Sequence, residues 1–165
     1  MTTVFLSIGS NLGDRLGFLK AAADSIKALP DTKILVKSPI YETGPVGGVE
    51  QGPFLNGVIA IDTELAPKDL LLYLQHIEAC NGRERKVHWG PRTLDIDILC
   101  YGDLVSVDRE LMLPHPELAG RAFVLVPWAE IAGDWQVVGK GKVKELLEQL
   151  PVLEIAGVER CNYFW

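Results

Sequence analysis

The chain has few cysteines, few histidines and no excess of positive charge. Cys80, Cys100 and Cys161 stand apart in 165 residues, with no CxxC pair. An odd, sparse set is a poor disulfide framework, so a reducing compartment suits it and a cytoplasmic location is expected. His76 and Cys80 lie four apart on one helical stretch, but two ligands make no zinc site. Sixteen basic residues against 22 acidic leave a net charge of −6, which argues against nonspecific nucleic-acid or anionic-membrane binding as the main activity. No apolar run approaches membrane-spanning length. The N-terminus has no basic region and no signal-length apolar stretch, because Val4-Phe5-Leu6 is followed at once by Ser7 and Gly9. The glycine-rich stretch Gly9-Ser10-Asn11-Leu12-Gly13-Asp14-Arg15 lacks the Gly-Lys-Ser/Thr of a P-loop and the GxGxxG of a dinucleotide fold. It reads as a strand-to-helix turn. Internal repeats, low-complexity tracts and domain-separating linkers are also absent, so residues 1–165 are expected to form a single domain; a monomer is expected, though nothing in the composition or spacing decides it.

What is present is an alternation of strands and helices. Val4 to Ile8 reads as a short buried strand. Ser10 or Asn11 can cap the helix that follows, with Leu12, Leu16, Leu19, Ala23 and Ile26 at helical spacing. Leu29-Pro30 ends it. Lys33 to Lys37 opens a second strand that can run on to Tyr41. Four glycines and two prolines between Gly44 and Pro53 preclude a regular element and predict a binding loop. Phe54 to Ile61 returns to strand character. Pro67 starts a second helix that ends at Asn81-Gly82. A basic loop leads into a strand from Thr93 to Tyr101, and Met112 to Pro116 reads as extended. A helical stretch is expected from Arg121, and a last amphipathic helix around Val143, Leu146, Leu147 and Leu150. The order β-α-β-β-α-β fits a ferredoxin-like α+β sandwich: an antiparallel sheet with helices on one face, plus a C-terminal extension.

The most informative segment is Leu94-Asp95-Ile96-Asp97-Ile98-Leu99. Side chains alternate along a strand, so Leu94, Ile96 and Ile98 point into a core while Asp95 and Asp97 share the other face, roughly 6–7 Å apart at their backbones. Two carboxylates so placed repel unless a cation sits beside them. Mg²⁺ answers that need, taking one or two carboxylates plus substrate phosphates. A solvated strand face is the plain alternative, but Asp is disfavoured in strands. The preceding stretch, Arg83 to Arg92, carries four fixed positive charges against one negative in an otherwise acidic chain. Arginines that draw in phosphates beside aspartates that hold metal form a metal-phosphate site. His115, between Pro114 and Pro116, can donate to a phosphate oxygen, and Arg121 can join the cationic set.

The run Gly90-Pro91-Arg92-Thr93-Leu94-Asp95-Ile96-Asp97 resembles the signature of the 6-hydroxymethyl-7,8-dihydropterin pyrophosphokinases. Ile8 to Asp14, Tyr41-Glu42-Thr43, Phe54-Leu55-Asn56, Pro114-His115-Pro116 and Arg121-Ala122-Phe123 stand in that family's order, so the likeness spans about residues 4 to 132. The resemblance implies a ferredoxin-like fold and transfer of diphosphate from ATP to the pterin alcohol, with release of AMP, in folate synthesis. It implies two Mg²⁺ ions on Asp95 and Asp97, and catalytic arginines at Arg83 and Arg92. Gln75, Glu78, Arg85, Lys86, Trp89, Ile98, His115 and Arg121 would line the ATP side. Thr43, Gly44, Val46, Phe54, Asn56 and Phe123 would frame the pterin, together with Trp89 and Asp95. Glu110 stands where some relatives carry arginine, with Arg109 one residue earlier. Two rivals share the topology. A metal-dependent nucleotidyltransferase or cyclase would release diphosphate instead of AMP, and a non-catalytic ligand-binding module would not need the aspartates.

Overall fold

The computed structural model describes residues 1–44, 53–82 and 93–165. In chain order the elements are β1 (Thr2–Ser10), α1 (Arg15–Lys27), β2 (Thr32–Lys37), β3 (Tyr41–Thr43), β4 (Phe54–Thr63), α2 (Pro67–Cys80) and β5 (Asp95–Tyr101). Then follow β6 (Ser106–Asp108), β7 (Leu111–Leu113), α3 (Ala122–Ala132), β8 (Gln136–Val137), β9 (Gly141–Lys142), α4 (Val143–Glu148), α5 (Val152–Ala156) and β10 (Glu159–Arg160).

The main sheet is antiparallel, in the order β10-β3-β4-β1-β5, and β2 also pairs with β4. Counting β2 and β3 as one interrupted strand, this is the ferredoxin-like arrangement. The interruption has a local cause. Pro39 has no N–H to give to a ladder, so the chain leaves β4 between Lys37 and Tyr41. Ser38 bridges the gap: its N–H donates to the Val58 carbonyl, and its hydroxyl accepts from the Val58 N–H, both at 2.9 Å. The second strand therefore does not run unbroken to Tyr41.

Alternation along the strands sends Val4, Leu6 and Ile8 of β1, Leu55, Ile59 and Ile61 of β4 and Ile96 and Ile98 of β5 to one face. There they meet Leu19, Ala22, Ala23 and Ile26 of α1 and Leu70, Leu74 and Ile77 of α2. The opposite face carries Phe5, Val58, Ala60 and Leu99 under Val124, Leu125 and Trp128 of α3 and Val143 and Leu146 of α4. The C-terminal extension thus supplies a third layer, and helices cover both faces. A register shift at Phe5/Leu6 opposite β5 lets adjacent Leu99 and Cys100 both join this second core. Burial pushes the Cys100 thiol up to about 12.

The start of α1 differs from expectation. Asp14, not Ser10 or Asn11, caps it, accepting from the Gly17 N–H at 3.0 Å, and Leu12 is left exposed outside the helix. α2 begins at Pro67 and closes on Asn81, with Gly82 at φ +79°, as the sequence suggested. The strand from Thr93 begins at Asp95, and the extended stretch expected over Met112–Pro116 ends at Leu113. The tail has structure of its own: β10 pairs with β3, and the Trp165 indole donates to the Ser38 carbonyl at 2.7 Å.

Candidate active site

The site is built where three strands run side by side. Asp95 of β5 lies opposite Gly9 of β1, and Gly9 lies opposite Asn56 of β4. One step along, Asp97 faces Ser7, and Ser7 faces Val58. Direct cross-strand partners share a face, so Asp95, Asp97, Gly9 and Asn56 lie on the α3 side of the sheet. Arg121, the N-cap of α3, reaches this row, with Nη1 3.8 Å from Asp97 Oδ2.

Gly9 has a specific part in this row. A Cβ on it would lie 2.7 Å from Asn56 Oδ1 and 3.6 Å from Phe54 Cδ1. The missing side chain is what lets the Asn56 amide and the Phe54 ring approach the strand between them and Asp95. Asn56 is buried and donates from Nδ2 to Thr43 Oγ1 at 2.9 Å. Thr43 of β3 is the register partner of Phe54. Four of the expected pterin residues, Thr43, Gly44, Phe54 and Asn56, therefore stand together at one end of β3 and β4. Reading Gly9 as only a turn residue missed it; a glycine inside a strand that allows close approach was the available signal.

The cationic side is also assembled. The His115 N–H donates to the Leu99 carbonyl at 2.8 Å, which seats the loop against β5. His115 Nδ1 accepts from the Glu117 N–H at 3.2 Å. That assigns the proton of the neutral ring to Nε2, which lies 3.9 Å from Asp97 Oδ2. Arg121 Nη1 is 3.8 Å from the same oxygen. The guanidinium also pairs with Glu117 and sits 5.6 Å above the Phe123 ring centroid. Burial, and then the Arg121 cation, hold the His115 pKa below its ordinary value, against smaller opposing pulls from Glu117 and Asp95. The imidazole is therefore a neutral donor at pH 7.

Glu78 and Ile98, both expected on the ATP side, have structural contacts of their own. Glu78 is buried on α2, and its Oε2 accepts from the Ile96 N–H of β5 at 2.8 Å. It holds the aspartate strand to α2. Ile98 is a core residue packed in the α1–α2 layer. Gln75 is half-buried on α2. Arg83, Arg85, Lys86, Trp89, Arg92 and Val46 lie outside the described residues, as do the basic loop and most of the Gly44–Pro53 stretch. Among the described residues, no cluster of three or more His, Cys, Asp or Glu is placed to hold a metal, and no helix is long and apolar enough to cross a membrane.

Paired carboxylates opposite a histidine and an arginine, on a ferredoxin-like sheet, are the layout of a phosphate-transferring enzyme. The chain belongs to the 7,8-dihydro-6-hydroxymethylpterin-pyrophosphokinase (HPPK) family, whose model matches residues 5–133. It is 44% identical over 162 residues to the 2-amino-4-hydroxy-6-hydroxymethyldihydropteridine pyrophosphokinase of Methylorubrum extorquens, covering 98% of this chain and 100% of that protein. The Pseudomonas aeruginosa protein of the same name is 43% identical over 157 residues, covering 95% of each. Among solved structures, a Plasmodium falciparum HPPK-DHPS with pterin and p-hydrobenzoate superposes with a TM-score of 0.73 at 15% identity. That match covers 96% of this chain and 47% of the solved one, so the chain spans about half its length. At that identity it shows the fold alone.

Proposed function

We propose that Asp95 and Asp97 hold two Mg²⁺ ions at the ATP phosphates while the Thr43–Asn56–Phe54 corner seats the pterin. As a member of its family the chain is a diphosphokinase, transferring diphosphate from ATP to hydroxymethyldihydropterin in folate synthesis. The observation that carries the residue assignment is the strand pairing that sets Asp95 and Asn56 on either side of side-chain-free Gly9. Pterin and metal-bound phosphate then meet across one residue.

The donor set fits Mg²⁺. Two carboxylates lie on one face of β5, with Arg121 and His115 at 3.8 and 3.9 Å from Asp97 Oδ2, so acidic oxygen donors and phosphate-binding groups stand side by side. Asp95 and Asp97 would hold Mg²⁺ here, because that ion is bound by one or two carboxylates together with substrate phosphates. When bound, it would supply charge neutralisation for the transferring phosphates.

The chain's own groups do the rest. The pterin hydroxyl oxygen forms a bond to the β-phosphorus, the bond from that phosphorus to the α-bridging oxygen breaks, and AMP leaves with that oxygen. The hydroxyl proton passes to water as the ester forms. His115 Nε2–H donates to a phosphate oxygen, and Arg121 adds a fixed positive charge beside it. Phe123, already bearing the Arg121 cation near its face, offers one apolar wall for the flat heterocycle, and Phe54 the other. Arg83 and Arg92 act as phosphate-gripping residues, and Gln75, Arg85, Lys86 and Trp89 complete the ATP side. The domain works as a monomer in the cytoplasm, with no nucleic acid or membrane partner. An AMP-release assay with ATP, Mg²⁺ and the hydroxymethyl-dihydropterin tests the reading; it predicts AMP in proportion to the pterin ester and no turnover after chelation.

A further inference from the structure

The turn from Gly13 to Arg15 lies outside the reaction just described, yet it reaches the pterin corner. Asp14 caps α1, which places Arg15 at the first helical position. A cation there opposes the helix macrodipole. A local rule broken in this way points to a compensating contact. Arg15 Nη1 makes two: 2.7 Å to Glu42 Oε2 and 3.0 Å to the Pro53 carbonyl oxygen. Glu42 is the middle residue of β3, between Tyr41 and Thr43, and Pro53 directly precedes Phe54 at the start of β4. One guanidinium nitrogen thus spans the two strands whose ends carry Thr43, Phe54 and Asn56.

β3 is only three residues long, so few ladder bonds fix its end. It also carries a like-charge pairing. Glu42 lies opposite Glu159 in the β3–β10 pairing, and like charges directly opposite are destabilising. The Cys161 thiol beside them is raised, chiefly by burial and next by the Glu42 charge, and is lowered by Arg15. A half-exposed ion pair alone contributes little. What sets this pair apart is the second bond, to backbone on a different strand.

The geometry points to Arg15 as a positioning residue for the pterin: it holds the end of β3 to the entry of β4 and so fixes the Thr43–Asn56–Phe54 wall. Arg15 itself touches no substrate. The inference rests on that wall being the pterin site, and the test separates the two. In the full chain, Arg15→Met, Glu42→Gln and the double variant are compared with wild type for pterin Kd, pterin and ATP KM, kcat and Tm. Arg15→Met raises pterin Kd and KM about three- to tenfold, the size of a coupling between contacting groups, and leaves kcat and ATP KM within about twofold. Glu42→Gln follows the same direction, and the double variant is no worse than Arg15→Met, because both single changes break one clamp. Unchanged pterin Kd in Arg15→Met, a parallel rise in ATP KM, or additive single effects would overturn the role of Arg15 while leaving the pterin site standing. Absence of pterin binding by the wild type would overturn both.

Discussion

The buried carboxylate of Glu78 on α2 accepts the outward-facing backbone N–H of Ile96 at 2.8 Å, between the two aspartates of β5. Among the described residues β5 is an edge of the main sheet, and Glu78 rather than a strand receives this N–H. Glu78 therefore stabilises the strand and sets the height of Asp95 and Asp97 together. Glu78→Ala leaves a buried N–H unsatisfied and costs about 1–3 kcal/mol, read as a lower urea midpoint, with activity falling more than stability alone explains. Glu78→Gln keeps a carbonyl acceptor and costs less than half as much. Equal midpoints for Glu78→Ala and wild type would remove this account of the edge.

The aspartates themselves are half-buried and contribute little to the core. Asp97→Asn preserves shape and removes the charge that a divalent ion needs. Turnover should fall by about three orders of magnitude, the scale of lost metal stabilisation of a transferring group, while Tm stays within a few degrees. Asp95→Asn should behave alike. Activity retained in both variants would refute the metal role.

Tyr41 gives a pH prediction. Burial, helped by its hydrogen bond to Glu130, raises its phenol from 10 to about 12. The folded state keeps a proton that the unfolded state releases, so this group's contribution is complete below pH 10 and is lost as pH rises through about 12. Tyr41→Phe loses about 1 kcal/mol at neutral pH with the hydrogen bond. The gap between the two proteins should close between pH 10 and 12. Parallel stability curves over that range would contradict the assignment.

The C-terminal tail makes a testable contact under the pterin strand. A Cβ on Gly57 would lie 2.5 Å from the Trp165 ring, whose indole is bonded to Ser38. Gly57→Ala should expel Trp165 and cost about 1–3 kcal/mol by overpacking or loss of the seat. Combined with Trp165→Ala it should add nothing further, because both changes empty the same place. Additive costs in urea unfolding would mean that the two residues are independent.

The sequence carried the parts of this molecule that rest on local pattern. Two-residue alternation separated Ile96 and Ile98 from Asp95 and Asp97, and the structure keeps that separation. Pro67 and Asn81-Gly82 marked both ends of α2 because their signals are backbone constraints. Contacts between distant segments were not legible. Nothing near Glu78 indicates that its carboxylate meets Ile96, eighteen residues on. The pairing of β10 with β3 and the docking of Trp165 depend on where the chain returns in space. The first helix start was misplaced because Ser10 and Asn11 are good caps in isolation, whereas both are buried at the end of β1 and Asp14 is free to reach Gly17. Gly9 suggests only a turn from its neighbours in sequence, because its value lies in what Asn56 and Phe54 do beside it.

The most direct measurement of the central claim is product analysis with α- and γ-labelled ATP, Mg²⁺ and the hydroxymethyl-dihydropterin. The account predicts α-label in AMP and γ-label in the pterin ester, in equal amounts, with both lost in Asp95→Asn and Asp97→Asn. Free diphosphate appearing without AMP, or label transfer that survives both substitutions, would contradict it.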